Sequence, residues 1–435
     1  MTVTPLARPV AYINARLIDP ARELDAPGGV LVQGTEIRAA GPELLAPQGL
    51  DADLVDCGGR VLAPGLIDLR VKTGEPGAAH VETLASASAA ALAGGVTTFV
   101  VQPDTDPVID SAALVQFLAR RATATARARV LVAGALTAGL AGERIAEIGL
   151  MAEAGAVMFS NGDRPVCSAK VLRRAMTYAN GHHALIASRP DDPSLSDGGV
   201  MHAGPFAAGR GVRGIGFEAE WLGASRDLLL AEATGARLLV DLVSTARTVD
   251  MVHTARERGV DAYVSASILN LYFNELDVGD YLTYCKVNPP FRPEPIRREL
   301  VEALAARRLH ALVSAHDPRP PEMKRLPIDE AAFGAIGVET LLAAGLALVH
   351  AGDVSLLDLL WPLTVGPAQL LGLPQGRLKP GAPADIVIFD PETPWKCVRE
   401  NLRSLSQNSP WDGRRLEGRV WRTLVGGEVA FEGGR

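Results

Sequence analysis

Along the first sixty residues, short aliphatic and β-branched runs alternate with turn residues, in VAYINARLIDP, GGVLVQGTEIRAAG and ADLVDCGGRVLAPG, a pattern that predicts short strands. The last sixty repeat it in GRLKPGAPADIVIFDP and GRVWRTLVGGEVAFEGG, again strands punctuated by Gly and Pro. The two ends are expected to pair into one composite β-domain, a small β-sandwich built from residues 1–60 and 375–435, with the termini close together. Over residues 61–374 the pattern changes. Apolar runs of five to eight residues alternate there with Ala/Leu-rich stretches of helical length, the signature of βα units and a parallel sheet. Eight strand candidates stand out: VLAPGLIDLRV, GVTTFVV, ARVLVAGAL, GAVMFS, HALIAS, ARLLVDLVS, VDAYVSASIL and LHALVSAH. Eight is the number that closes a (β/α)8 TIM barrel, so the expected fold is an α/β barrel carrying a small β-domain. VETLASASAAALAGG and EAEWLGASRDLLLAEATG read as helices between these strands, with Gly235 placed as a C-cap.

Composition adds exclusions. With 48% hydrophobic and 21% charged residues in a chain of 435, a sizeable core is assured. The net charge of −7 leaves no global cationic field to draw the chain to nucleic acid or an anionic membrane, and neither partner is expected. Cys57, Cys167, Cys285 and Cys397 are far apart and form no C-x-x-C, so neither a zinc knuckle nor a disulfide framework is implied. Four such cysteines suit a reducing, cytoplasmic setting. The opening MTVTPLARPV lacks the apolar run of a secretory leader. The most apolar long stretch, AAFGAIGVETLLAAGLALVH, carries Glu339 and ends in His350, which suits a buried helix better than a membrane span.

In a barrel of this type, chemistry is built at the C-terminal ends of the strands. Those ends offer Arg70 and Lys72, then Gln102 and Asp104, Asn161 and Asp163, Arg189 with Asp191 and Asp192, Leu242, Ser267, and finally Ala315, His316 and Asp317. A hydrolytic two-metal site needs several imidazoles and carboxylates converging beside a general base. This mouth has one histidine. His80, His182, His183, His202, His253, His310 and His350 fall elsewhere, and His182 and His183, being neighbours, point to opposite faces of an extended chain. Arg70 and Lys72 lie two apart on one face, where they repel a divalent ion by about 4 kcal/mol per pair at 4 Å and intermediate dielectric. Two readings are open: they hold a carboxylate or phosphate, or they pair with Asp104, Asp163 or Asp317 and fill the space of a cofactor. GRGVRG, Gly209 to Gly214, satisfies G-x-G-x-x-G but follows no strand, so a dinucleotide turn is not expected.

From near Asn14 almost to the C-terminus, the chain resembles the dihydroorotases of the amidohydrolase superfamily. The resemblance is carried by VLAPGLIDLRVKTGEPG, AALAGGVTTFVVQPDTDPVID, GALTAGLAGERIAEIGLMAEAGAVMFS, EAEWLGASRDLLLAEATGARLLVDLVST, KVNPPFR, FGAIGVET and GRLKPGAPADIVIFDP. It implies an amidohydrolase-like barrel over residues 61–374. Catalytic members carry H-x-H-x-R before E-P-G, where this chain has Arg70, Lys72 and Gly74. The asparagine of the family's M-P-N-T loop corresponds to Asp104. The family's metal-binding aspartate corresponds to Asn161 or Gly162, with Asp163 displaced from the pattern, and two metal-binding histidines correspond to Arg189 and Leu242. The proton-carrying aspartate corresponds to Ala315 and the last histidine of that segment to Arg319, while His316 survives, as does Asn288, which matches a residue that contacts substrate. The resemblance thus implies no catalytic base and no metal ligands, with Arg70, Lys72, Asp104, Arg189, Asn288 and His316 left as a vestigial ligand pocket or anion site. No cofactor is expected; the alternative is an enzyme, either an active dihydroorotase with relocated ligands such as Asp163, His316 and Asp317, where zinc enters, or a metal-free cyclic-amide hydrolase. Catalytically silent members of this family partner aspartate transcarbamoylase, so the implied role is that of a non-catalytic subunit in a homo- or hetero-oligomer of pyrimidine biosynthesis.

Overall fold

The computed structural model describes residues 8–434; the opening residues read above as lacking a leader lie mostly outside that range. In chain order the strands are β1 (Val10–Asp19), β2 (Leu24–Gln33), β3 (Glu36–Gly41), β4 (Asp53–Asp56) and β5 (Val61–Pro64), then β6 (Leu66–Val71), β7 (Val96–Val101), β8 (Arg129–Ala135), β9 (Ala156–Ser160) and β10 (Leu185–Ser188). A two-residue pair follows, β11 (Met201–His202) and β12 (Gly214–Ile215), then β13 (Arg237–Val243), β14 (Ala262–Ser267) and β15 (Ala311–Val313), and last β16 (Ile386–Lys396), β17 (Arg415–Val425) and β18 (Glu428–Glu432).

The parallel sheet runs β15-β14-β13-β10-β9-β8-β7-β6, which are the eight strands expected from the pattern. It closes into a barrel where Val71 bridges His316 and the Lys72 N–H donates to the His316 carbonyl at 2.9 Å. These strands read as near-continuous apolar runs because both faces are covered. Ile67, Leu69, Val100, Ala133, Met158, Leu239 and Val313 fill the barrel, and Leu66, Val96, Phe99, Val101 and Val132 face the helices outside. The helix Leu84–Ala93 starts on a reciprocal Thr83/Ser86 capping box, and the helix Phe217–Thr234 ends on Gly235 at φ 68°, a conformation that favours glycine.

The second sheet runs β18-β17-β16-β5-β1-β2-β3, with β4 beside β1, so strands from both chain ends hydrogen-bond into one sheet. Its own core is Leu17, Val30, Ile37, Leu62, Ile386 and Ile388, while Val387, Phe389 and Val420 join the barrel's outer core. The first strand candidate divides between the two sheets at Gly65. A Cβ there would lie 2.3 Å from the Thr97 side chain, so the chain passes between sheets only where no side chain intervenes.

Two local expectations change. Of the long apolar stretch, only Leu341–His350 is helical. The residues before it form a loop over the barrel mouth, pressed so close that a Cβ on Gly337 would meet the Ser314 carbonyl at 2.8 Å. The Gly209–Gly214 segment leads from a short helix, Pro205–Gly209, into β12, the reverse of the strand-to-helix order a dinucleotide turn needs. Among the described residues no helix is long and apolar enough to cross a membrane.

Phe99 is fully buried between β7 and the outer helices. Phe99→Ala is expected to cost about 3–5 kcal/mol, read as a lowered thermal unfolding midpoint with the far-ultraviolet circular dichroism of the folded protein unchanged.

Candidate functional site: a charge-paired barrel mouth

Strand β6 loses register with β7 between Asp68 and Val71. The buried Asp68 carboxylate fills the irregularity, accepting from the backbone N–H of Arg70 at 3.0 Å and of Ser314 at 3.3 Å. Burial raises its pKa to about 6. Bulges of this kind re-aim side chains beside functional sites. Here Ile67 and Leu69 pack inside the barrel, and past the irregularity Arg70 and Lys72 both enter the mouth.

Each cation meets carboxylates. Arg70, 3% exposed, donates through Nη2 to Asp163 Oδ1 at 2.7 Å and through Nη1 to Asp241. Lys72 Nζ is paired with Asp163, lies 2.9 Å from Asp104 Oδ2, and 3.3 Å from Asp317 Oδ2. Arg319 Nη2 donates to Asp317 Oδ2 at 2.9 Å. Four cations, Arg70, Lys72, Arg189 and Arg319, thus face four carboxylates, Asp104, Asp163, Asp241 and Asp317. Burial works against the charged forms of Arg70 and Lys72, yet Asp241 and Asp163 for the first, and Asp104, Asp163 and Asp317 for the second, outweigh it and raise both pKa values. Burial likewise opposes ionised Asp163, but Lys72, Arg70 and Arg189 hold its pKa well below the usual carboxylate value. Of the two readings open in the sequence, ion pairing with Asp104, Asp163 and Asp317 is the one these distances describe for Arg70 and Lys72.

Asp163 is carried into the centre by the turn Asn161–Asp163, in which Gly162 takes φ 62°. Asn161 itself points away, accepting from Thr137 Oγ1 at 2.6 Å and donating to the Leu140 and Arg164 carbonyls. Gln102 lies against Arg70 at 3.5 Å and donates to the Leu69 carbonyl. Leu242 and Ala315 stand at their strand ends with φ of 59° and 50°, a left-handed region costly for residues with a Cβ. His316 faces outward. Its Nδ1 accepts from the N–H of Gly337 at 3.2 Å, which places the ring proton on Nε2, 3.5 Å from Glu82. Burial works against the Glu82 carboxylate, but His316, Ser404 and Ser86 outweigh it and lower its pKa. Asp191 and Asp192 are spent locally, accepting from Ser196 and Ser194.

The site also includes residues absent from the sequence-based set. Asp241 is held by Ser265 Oγ at 2.6 Å; a lone carboxylate inside the apolar run LLVDLVS was its signal. Asn408 reaches the mouth from the loop between β16 and β17, donating to the carbonyls of Asp317 at 3.0 Å and Gly334 at 3.1 Å while accepting from the Arg319 N–H. No sequence signal marks that contact, because it spans 91 positions.

The metal chemistry that the resemblance implies does not fit these residues. Among the described residues no three His, Cys, Asp or Glu side chains gather so as to hold a metal ion. Where Asp104, Asp163 and Asp317 converge, the Lys72 ammonium stands. His316 cannot join Asp163 and Asp317 in a relocated set while its ring is turned to Gly337 and Glu82.

Residues 59–248 match the dihydro-orotase-like family model, and residues 338–431 match the amidohydrolase family model. The chain is 37% identical to a dihydroorotase of Anaplasma phagocytophilum over 97% of its own length and 95% of the relative. It is 38% identical to a dihydroorotase of Syntrophotalea carbinolica, covering 97% and 99%. Among solved structures, L-hydantoinase from Arthrobacter aurescens superposes with a TM-score of 0.88 at 25% identity, covering 98% of this chain and 96% of that one. A dihydropyrimidinase from Brevibacillus agri, at 20% identity and a TM-score of 0.84, shares the fold. With relatives this similar over nearly its whole length, the chain belongs to the dihydroorotase-like family of the amidohydrolase superfamily.

Proposed function

We propose that this chain is a non-catalytic dihydroorotase-like subunit, a structural partner of aspartate transcarbamoylase in the cytoplasm. One observation carries the reading: the Lys72 ammonium sits among the three carboxylates at the mouth, so positive charge is supplied by the chain itself. Arg70 and Arg189, where catalytic relatives are expected to have imidazoles, are permanent cations and neither ligate metal nor carry protons near neutrality. Ala315, at the position of the proton carrier, offers no acid or base. The partner is proposed from the family resemblance, and the cytoplasm in keeping with four free thiols. A second reading, an active dihydroorotase, is favoured by relatives of that name at 37–38% identity.

Metal analysis of fresh protein and a dihydroorotase assay with added zinc separate the two. The expected result is substoichiometric metal and no interconversion of dihydroorotate and carbamoyl aspartate. Bound zinc with turnover establishes the second reading instead. Co-expression with the aspartate transcarbamoylase of the same source is expected to give a joint peak in size-exclusion chromatography; separate elution rejects the partner.

Lys72→Met strips Asp104, Asp163 and Asp317 of their shared cation, a buried-pair loss of about 3–5 kcal/mol. Because the folded pKa of Asp163 lies below the unfolded 3.8, the stability it contributes is present above pH 3.8 and lost as pH falls through the folded value. Chemical denaturation across pH is therefore expected to show the wild-type advantage at neutral pH and its decline under acid. Ala315→Gly relieves a left-handed residue and is expected to raise the unfolding midpoint by the equivalent of about 1 kcal/mol.

A further inference from the structure

Beside the paired charges, the mouth retains a cavity of about 240 Å³, the share of roughly eight water molecules in the liquid. One cation on its wall is poorly matched. Arg189, with a side chain 5% exposed, makes only a 3.4 Å hydrogen bond to the Asp163 carbonyl and a 3.8 Å approach to its carboxylate. Its other N–H donors have no partner among the described residues. Burial lowers its pKa by more than Asp163 and Asp191 restore, so this guanidinium lacks the compensation that Arg70 enjoys. Also lining the cavity, the Asn288 side chain makes no hydrogen bond among the described residues, and Asn270 has spent its NH2 on the carbonyls of Pro289 and Pro290, leaving its own carbonyl oxygen free. Leu242 and Ala315 supply an apolar wall.

We infer that this cavity binds a small organic monocarboxylate, its carboxylate held by Arg189 and its polar edge by Asn288, with the apolar part against Leu242. A buried guanidinium with free donors matches a carboxylate through two parallel hydrogen bonds. A monoanion is favoured over a dianion because Asp163 and Asp317 share the cavity wall, and a second negative charge meets them without a further free cation. The inference rests on the mouth being metal-free and non-hydrolytic, and it names what such a mouth retains: recognition without turnover.

Saturation-transfer NMR and thermal-shift titrations of the full-length protein test it, with acetate and isobutyrate as probes, inorganic phosphate and succinate as dianion arms, and sodium chloride as the ionic-strength control. Both monocarboxylates are expected to bind and to raise the unfolding midpoint with concentration, isobutyrate more tightly than acetate, with the dianions weaker. Arg189→Met is expected to weaken binding by roughly tenfold or more, as loss of a charge-assisted pair does. Arg189→Lys is expected to retain part of it, and Asn288→Ala, which leaves the guanidinium in place, to weaken it several-fold. Absence of monocarboxylate binding, equal binding by Arg189→Met, or preference for the dianions overturns the inference. If Arg189→Met does not fold, the Arg189→Lys and Asn288→Ala titrations decide, and unchanged affinity in both overturns it. A dihydroorotate turnover assay on the same preparation keeps the two questions apart, since turnover defeats the non-catalytic reading whatever the probes do.

Discussion

The attraction between the Lys72 ammonium and the carboxylates of Asp104, Asp163 and Asp317 sets the terms for the rest of the mouth. Those side chains follow the ends of different strands, and the cation among them offsets the mutual repulsion of their charges. Burying charge is costly unless it is matched closely. Matching here extends outward: Arg70 takes the other oxygen of Asp163 and reaches Asp241, and Arg319 donates to the same Asp317 oxygen that Lys72 approaches. Arg189, at the edge of this array, is where matching runs short.

Placing the two cations requires more than a two-residue spacing. The register shift in β6, stabilised by Asp68 on backbone N–H groups, lets a strand whose first half packs apolar side chains inward turn two charged ones the same way. The left-handed backbone at Leu242 and Ala315 belongs to the same economy of strand ends: neither side chain gains a hydrogen bond or a charge partner from the conformation. Local strain of this sort is usually associated with function. In this chain it sits at two positions where the family resemblance implies a metal ligand and a proton carrier, and where leucine and alanine stand.

Much of the barrel was legible because its signals are local and repeated. The eight apolar runs became the eight strands, and Gly235 capped its helix. What was hidden depends on through-space neighbours. VLAPGLIDLRV reads as one strand, since nothing in it announces that Gly65 must thread past Thr97 between two sheets. The loop preceding Leu341 is as apolar as the helix it enters, and only its tight approach to Ser314 rules out helix there. At the mouth, strand-end logic picked out Arg70, Lys72, Asp104, Asp163 and Asp317, which do meet. It took Leu242 as the end of the sixth run and passed over its neighbour Asp241, which the charge array needs.

The Asn408 amide gives the mouth a dependence on chain order. It ties the Asp317 and Gly334 carbonyls and the Arg319 N–H into one cluster, from a loop some ninety residues downstream. Synthesis runs from the N-terminus, whereas a domain generally folds as a unit. On a ribosome, therefore, all eight barrel strands are made before the group that fixes the backbone around Asp317, and the charged rim cannot take its final form until that group is present. Chain completion, and not barrel closure alone, is what finishes this surface.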